Sequence, residues 1–309
     1  MNTEIEKIVN NIEKVIVGKR EVVVKVIVAV LSQGHVLIED VPGVGKTQLV
    51  SALARSVDGS FNRIQLTPDI MPSDIVGFSM LDRDTREFEY KPGAAMCNFL
   101  LADEINRASP KAQSALLEVM EEHQISLDGS TYKLPVPFMT LATQNPVETY
   151  GTYHLPEAQM DRFIMKVSVG YPTKEDELTV MLRTENDNPI NFIGSVCSVA
   201  DIERLQNEVK SVLVSDEVRE YIIRLVDATR TSEYIKLGAS PRGSIALLKS
   251  SKALAYIEGR NYVTPNDVKS MITCVLAHRL ILSPKGKAKY ETQEAAIEAI
   301  ASSVWVPVN

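Results

Sequence analysis

The chain has 309 residues, 45% of them apolar and 24% charged, a balance ordinary for a folded protein with one large core or two smaller ones. Its formal net charge of −7, with both signs interspersed, argues against a protein whose main task is to grip nucleic acid. The start MNTEIEKIVNNIEKV carries acids where a secretory leader is basic, the most apolar run (22–31) is broken by Lys25 and too short for a bilayer, and Cys97, Cys197 and Cys274 show no paired spacing. A reduced, cytoplasmic protein is expected.

In chain order, the stretch EVVVKVIVAVL (21–31) has strand-like composition, but Val23, Val26, Ile27, Val30 and Leu31 share one helical face, so a helix is predicted. Five short apolar runs then alternate with helical patterns: 36–39, 61–66, 98–102, 138–143 and 163–168. That alternation predicts a five-stranded parallel sheet sandwiched by helices. Two insertions, 77–93 and 123–135, read as hairpins, the second marked by Asp128-Gly129. From Tyr171 the pattern is helical, with start signals at Thr173, Ser215 and Thr264-Pro265-Asn266-Asp267. The expected organisation is an α/β domain over 1–170 and a smaller all-α domain over 171–309, joined near Gly170-Tyr171-Pro172.

The run LIEDVPGVGKTQLV (37–50) raises a chemical question. It has the strand, glycine-rich turn and helix of a phosphate-binding loop, yet Asp40 occupies the first glycine position of GxxxxGK[ST]. Backbone N–H groups form such a cradle, so the glycines that matter are those passing close to the ligand, here Gly43 and Gly45. The Asp40 side chain is expected to point away. Pro42, Gly43, Val44, Gly45, Lys46, Thr47 and Gln48 then hold a nucleotide triphosphate, with Lys46 on its β and γ phosphates and Thr47 on Mg2+. CNFLLADE ends a strand in Asp103-Glu104: Asp103 suits the Mg2+ shell and Glu104 the polarisation of an attacking water. Gln144-Asn145, at the end of FMTLATQNP, either orients that water or simply forms the turn. Arg162 and Arg242 are the arginines these motifs raise above ordinary surface pairs.

LIEDVPGVGKT, NFLLADEINRASPKAQSALLEVMEE, ATQNP, TYHLPEAQMDRF and GASPRG together resemble the MoxR family of AAA+ ATPases, over essentially the whole chain. The resemblance implies a P-loop fold with a helical lid, and ATP or ADP with Mg2+ as ligands. It also implies that Val17-Gly18 line the adenine pocket, that Asn145 is the first sensor, and that Arg162 is an arginine finger reaching a neighbouring subunit. Arg242 becomes the second sensor, carried by the lid, with its action on its own or a neighbour's nucleotide left open. The hairpins become the helix-2 insert and pre-sensor hairpin of this clade. A hexameric ring, chaperone-like work on protein clients and partners with von Willebrand factor A domains are further implications. His154 departs from the proline usual at its place.

Three rivals remain at this level: a nucleic-acid-directed motor, disfavoured by the acidic charge; a chelatase motor subunit, which shares both hairpins; and a non-catalytic nucleotide switch, disfavoured by Glu104.

Overall fold

The computed structural model describes residues 1–84, 86–145, 152–185 and 187–307. Two helices, α1 (Thr3–Glu13) and α2 (Arg20–Leu31), precede the first strand, β1 (Val36–Glu39), and its helix α3 (Lys46–Ser56). Next come β2 (Phe61–Gln65), a short α4 (Pro72–Val76), the hairpin β3 (Gly77–Leu81) and β4 (Phe88–Pro92), and β5 (Phe99–Asp103). Helix α5 (Pro110–Glu122) leads into the hairpin β6 (Gln124–Leu127) and β7 (Ser130–Lys133), then β8 (Met139–Gln144), α6 (Glu157–Met160) and β9 (Met165–Val167). The remainder comprises α7 (Lys174–Thr184), α8 (Val199–Lys210), α9 (Asp216–Thr231), β10 (Ile235–Leu237), α10 (Pro241–Ile257) and α11 (Pro265–Leu276). It closes with β11 (Ile281–Leu282), α12 (Pro284–Lys289) and α13 (Gln293–Ser303).

All five apolar runs are strands of one parallel sheet, in the order β2-β5-β8-β1-β9. Their lack of apolar–polar alternation has a physical cause: β5 is buried throughout and β8 in all but its last residue, because helices cover both faces. Both insertions are antiparallel hairpins, and in the second Asp128 and Gly129 take φ of 49° and 77°, the left-handed pair that a two-residue turn requires. Among the described residues, the C-terminal part is helical apart from a short antiparallel ribbon, β10 with β11, and an isolated bridge between Leu213 and Tyr262.

The helix at 20–31 forms despite its β-branched composition because it is enclosed. Besides the five residues of its expected face, Val28 and Ala29 are also buried. It packs on α1, β9, α8 and α10. Helix α11 begins as its sequence indicates: Thr264 accepts the Asp267 N–H while the Asp267 carboxylate takes the Thr264 N–H, a closed capping box after which Pro265 opens the first turn. One apolar cluster runs from Ile5, Ile8 and Val26 through Leu141 and Met165 to Leu225, Leu247 and Ile272, so the sheet and the C-terminal helices share a core.

His35 ties the entry edge of the sheet together. Its Nδ1 accepts the Thr140 N–H at 3.0 Å, so Nε2 carries the proton and donates to the Met120 carbonyl at 2.8 Å. Burial pushes the ring's pKa down from 6.5 to about 4, so it stays neutral in the fold. Between those values the unfolded chain takes up a proton that the native ring refuses. This contribution is therefore complete above pH 6.5 and lost as the pH falls towards 4, by on the order of 3 kcal/mol. Urea unfolding at pH 7 and pH 5 checks this: the wild type should lose stability at pH 5, and His35→Gln should show a smaller difference between the two conditions.

Candidate functional site

The glycine-rich turn leaves β1 and enters α3 through two left-handed glycines, Gly43 at φ 85° and Gly45 at φ 87°. Gly45 is also the residue immediately before α3, so the first N–H groups of an 11-residue helix face outward with no side-chain cap to occupy them. Those amides, the helix dipole and Lys46 make a cationic cradle at the carboxyl end of the sheet. Lys46 Nζ is held by the Asp40 carbonyl at 3.0 Å.

Asp40 does face away from the cradle. Its carboxylate is buried, with Oδ2 accepting the Val169 and Gly170 N–H groups at 2.6 and 2.7 Å and the Ser168 hydroxyl at 3.1 Å, while Oδ1 accepts the Val41 N–H at 2.9 Å. The acid at the first glycine position therefore acts as a clamp between the strand end that launches the loop and the chain leaving β9.

Across the cleft stands the tip of β5. Pro42, Gly43, Gly45, Lys46, Thr47 and Gln48 line one wall; Asp103, Glu104, Thr143 and Asn145 line the other. The Thr143 hydroxyl donates to Asp103 Oδ1 at 3.2 Å and accepts the Glu104 N–H at 2.9 Å, locking both acids to β8. Asp103 Oδ2 takes the Arg63 Nε–H at 2.7 Å, and Glu104 pairs with Arg107 at 3.0 Å. Glu104 itself has a left-handed backbone, φ 58° and ψ 49°. Such a conformation costs a non-glycine residue roughly 1–3 kcal/mol and marks a place where geometry has priority over local stability. A hydroxyl (Thr47) and a carboxylate (Asp103) facing one cleft, beside a lysine and free helix amides, suit a phosphate chain with a hard divalent cation. Pro146, the proline of the Gln-Asn-Pro turn, lies outside the described residues.

A second cavity adjoins the loop. Val15, Val17, Val44, Pro172 and Val180 give it apolar walls, and Gln48 reaches into it, a setting for a flat ring. Val17 lines this cavity but Gly18 does not. Gly18 makes the turn behind it, at φ 69°, where a Cβ would lie 2.1 Å from Asp176 Oδ2. Arg183 of α7 donates to the Glu13 and Lys14 carbonyls at 2.9 and 2.7 Å, fixing the segment that leads to Val17.

Arg162 and Arg242 lie in neither cavity. Both line a separate cleft with Gln33, His35, Glu121 and Lys249, at the opposite, entry end of β1. The Glu121 carboxylate grips both: Oε2 with Arg162 Nη2 at 3.2 Å and Oε1 with Arg242 Nη2. Sequence reasoning passed over Arg63, Thr143, Arg107 and Glu121. A charge at an outward position of β2, in FNRIQ, was the one available signal; the other three are recognisable only by what they touch.

Two family profiles match the chain: the ATPase family associated with various cellular activities (AAA) over residues 35–165, and the AAA lid domain over 227–300. The protein YeaC of Bacillus subtilis is 49% identical, over 98% of this chain and 95% of its own length. The chaperone MoxR1 of Mycobacterium tuberculosis is 42% identical, over 98% of this chain and 82% of its own. A solved structure from Cytophaga hutchinsonii superposes with a TM-score of 0.92 at 40% identity, covering 99% of this chain and 95% of that one.

Asp40→Gly, which restores the usual glycine, should destabilise the fold by about 2–4 kcal/mol, because the buried Val169 N–H and its neighbour at Gly170 lose their acceptor. Thermal or urea unfolding of the variant measures this, and a variant as stable as the wild type contradicts the clamp.

Proposed function

This chain belongs to the MoxR family of AAA+ ATPases, and we propose that it hydrolyses ATP with Mg2+ at the cleft between α3 and β5, a site completed by a second copy of the chain. The observation that carries this reading is the placement of the arginines. Lys46, Thr47, Asp103, Glu104 and Asn145 share one cleft, while Arg162 and Arg242 share another at the far end of the sheet. Two arginines gathered at that end, away from their own chain's cleft, support service to a nucleotide on an adjoining subunit, with both acting in trans.

Within the cleft, the α3 amides and Lys46 bind and orient the phosphates of ATP or ADP, and Val17 with Val44 holds the adenine. Thr47 and Asp103 are the residues that hold Mg2+, which when bound offsets charge on the phosphates. Glu104, once turned from Arg107, accepts a proton from the attacking water, and Asn145 orients that water. Arg162 and Arg242 of the adjoining subunit supply positive charge where it builds up on the transferred group.

The assembly is a ring, hexameric by the family pattern, working in the cytoplasm on protein clients. The hairpin β3–β4 supports a client-facing role, since Phe78, Met80, Leu81 and Phe88 are all exposed on it. The relative named a chaperone points the same way, and proteins with von Willebrand factor A domains are the partners we expect.

Turnover per subunit, measured against protein concentration alongside sizing by light scattering, tests the composite site. It should rise as assembly proceeds; a flat profile for a chain that stays monomeric rules the composite site out. Lys46→Ala should lose nucleotide binding, whereas Glu104→Gln should bind ATP and fail to turn it over. Arg162→Ala should cost about 10³-fold or more in turnover while leaving ATP affinity of the monomer intact. Affinity capture on Glu104→Gln with ATP then identifies clients, and a von Willebrand factor A protein among them supports the partner class.

A further inference from the structure

Asp161 sits immediately before Arg162, and its carboxylate is divided between two parts of the chain far away in sequence. Oδ1 accepts the Arg279 Nε–H at 2.7 Å, and Oδ2 accepts the Ser240 hydroxyl at 2.6 Å. Ser240 is the N-cap of α10, and its oxygen accepts the Arg242 N–H at 3.0 Å. An unbroken chain of hydrogen bonds therefore runs from the residue beside one arginine to the backbone of the other.

Arg279 closes the arrangement from beneath. Its side chain is 2% exposed and its remaining N–H groups go to the carbonyls of Asp161, Phe163, Ile164 and Val275, so the guanidinium wraps the segment bearing Arg162. Burial makes this an expensive place for a charge and lowers the Arg279 pKa even with Asp161 beside it. A buried ion pair of this kind adds little net stability over an apolar replacement, and what it does provide is a defined geometry. From the solvent side Glu121 holds the two arginine heads. Four chain segments thus converge around the two arginines.

We propose that Asp161 is a positioning residue for catalysis: through Ser240 and Arg279 it fixes the separation of Arg162 and Arg242, so that both meet the same phosphate group of the nucleotide on the adjoining subunit. The inference rests on the reading that these arginines act in trans. A misplacement of about 1 Å at a reacting group costs on the order of a hundredfold in rate, so Asp161→Asn should lower kcat by about that factor while leaving KM for ATP within about twofold. Combined with Arg162→Ala it should add less than its own hundredfold, since part of its effect runs through Arg162 and only the part through Arg242 is left.

Mixed rings separate the possibilities. Asp161→Asn subunits keep an intact cleft, and Glu104→Gln subunits keep intact arginines, so mixing two poorly active preparations should raise turnover above the sum of the parts. Arg162→Ala mixed with Glu104→Gln is the control for the trans reading. If that control regains turnover and the Asp161→Asn mixture does not, Asp161 serves only its own subunit's structure and the inference is overturned while the trans reading stands. If the control fails, the trans reading falls and the inference with it. Wild-type kcat in Asp161→Asn also overturns it. Should Asp161→Asn not fold, Ser240→Ala, which leaves the Arg279 pair intact and cuts the link to α10 together with that helix's cap, takes its place with an expected loss of about tenfold and the same mixing outcomes.

Discussion

The position of β8 between β1 and β5 is the constraint on which the site depends. The phosphate loop leaves β1 and the paired acids end β5, yet these strands do not touch. Ala142 pairs with Leu37 on one side and Ala102 on the other, so the next residue, Thr143, emerges level with both the loop's strand and Asp103. With neighbouring strands about 4.8 Å apart, the cradle and the acids stand roughly 10 Å from each other, room for a phosphate chain and its cation. Thr143 is thus a spacer that also fastens both acids through its hydroxyl.

Charge is handled in the same spirit throughout. Asp40, Asp103, Glu104, Glu121 and Asp161 each have defined partners, and each partner comes from another element or the next turn. Lys166, on the edge strand β9, bridges Glu39 at the end of β1 and Glu294 in α13. Burial would lower its pKa, but the two carboxylates outweigh that and raise it, keeping the ammonium charged. Gln144, beside the candidate sensor Asn145, donates to that same Glu39 at 2.6 Å. The strand tips around the cleft are therefore wired to the C-terminal helices by polar contacts as well as apolar ones.

What could be read from residues alone follows a clear division. The strands were legible because burial on both faces demands unbroken apolar runs, and the loop because positive φ demands glycine at 43 and 45. Helix starts were legible because capping is local, as at Thr264. Contacts spanning more than a hundred residues were not: Asp40 meets Val169, Glu121 meets Arg242, and Asp161 meets Arg279 only in the folded chain. For the same reason the place of Gly18 against Asp176 of α7 could not be read from its position next to Val17.

Neither family profile includes α1 or α2, yet their residues are the mortar of the molecule. Val26, Ile27 and Val30 fill the seam between the sheet and the helices that follow it. Severing the backbone at Gly170 would leave both fragments with bare greasy surface, so the recognisable modules and the units able to stand alone are not the same pieces.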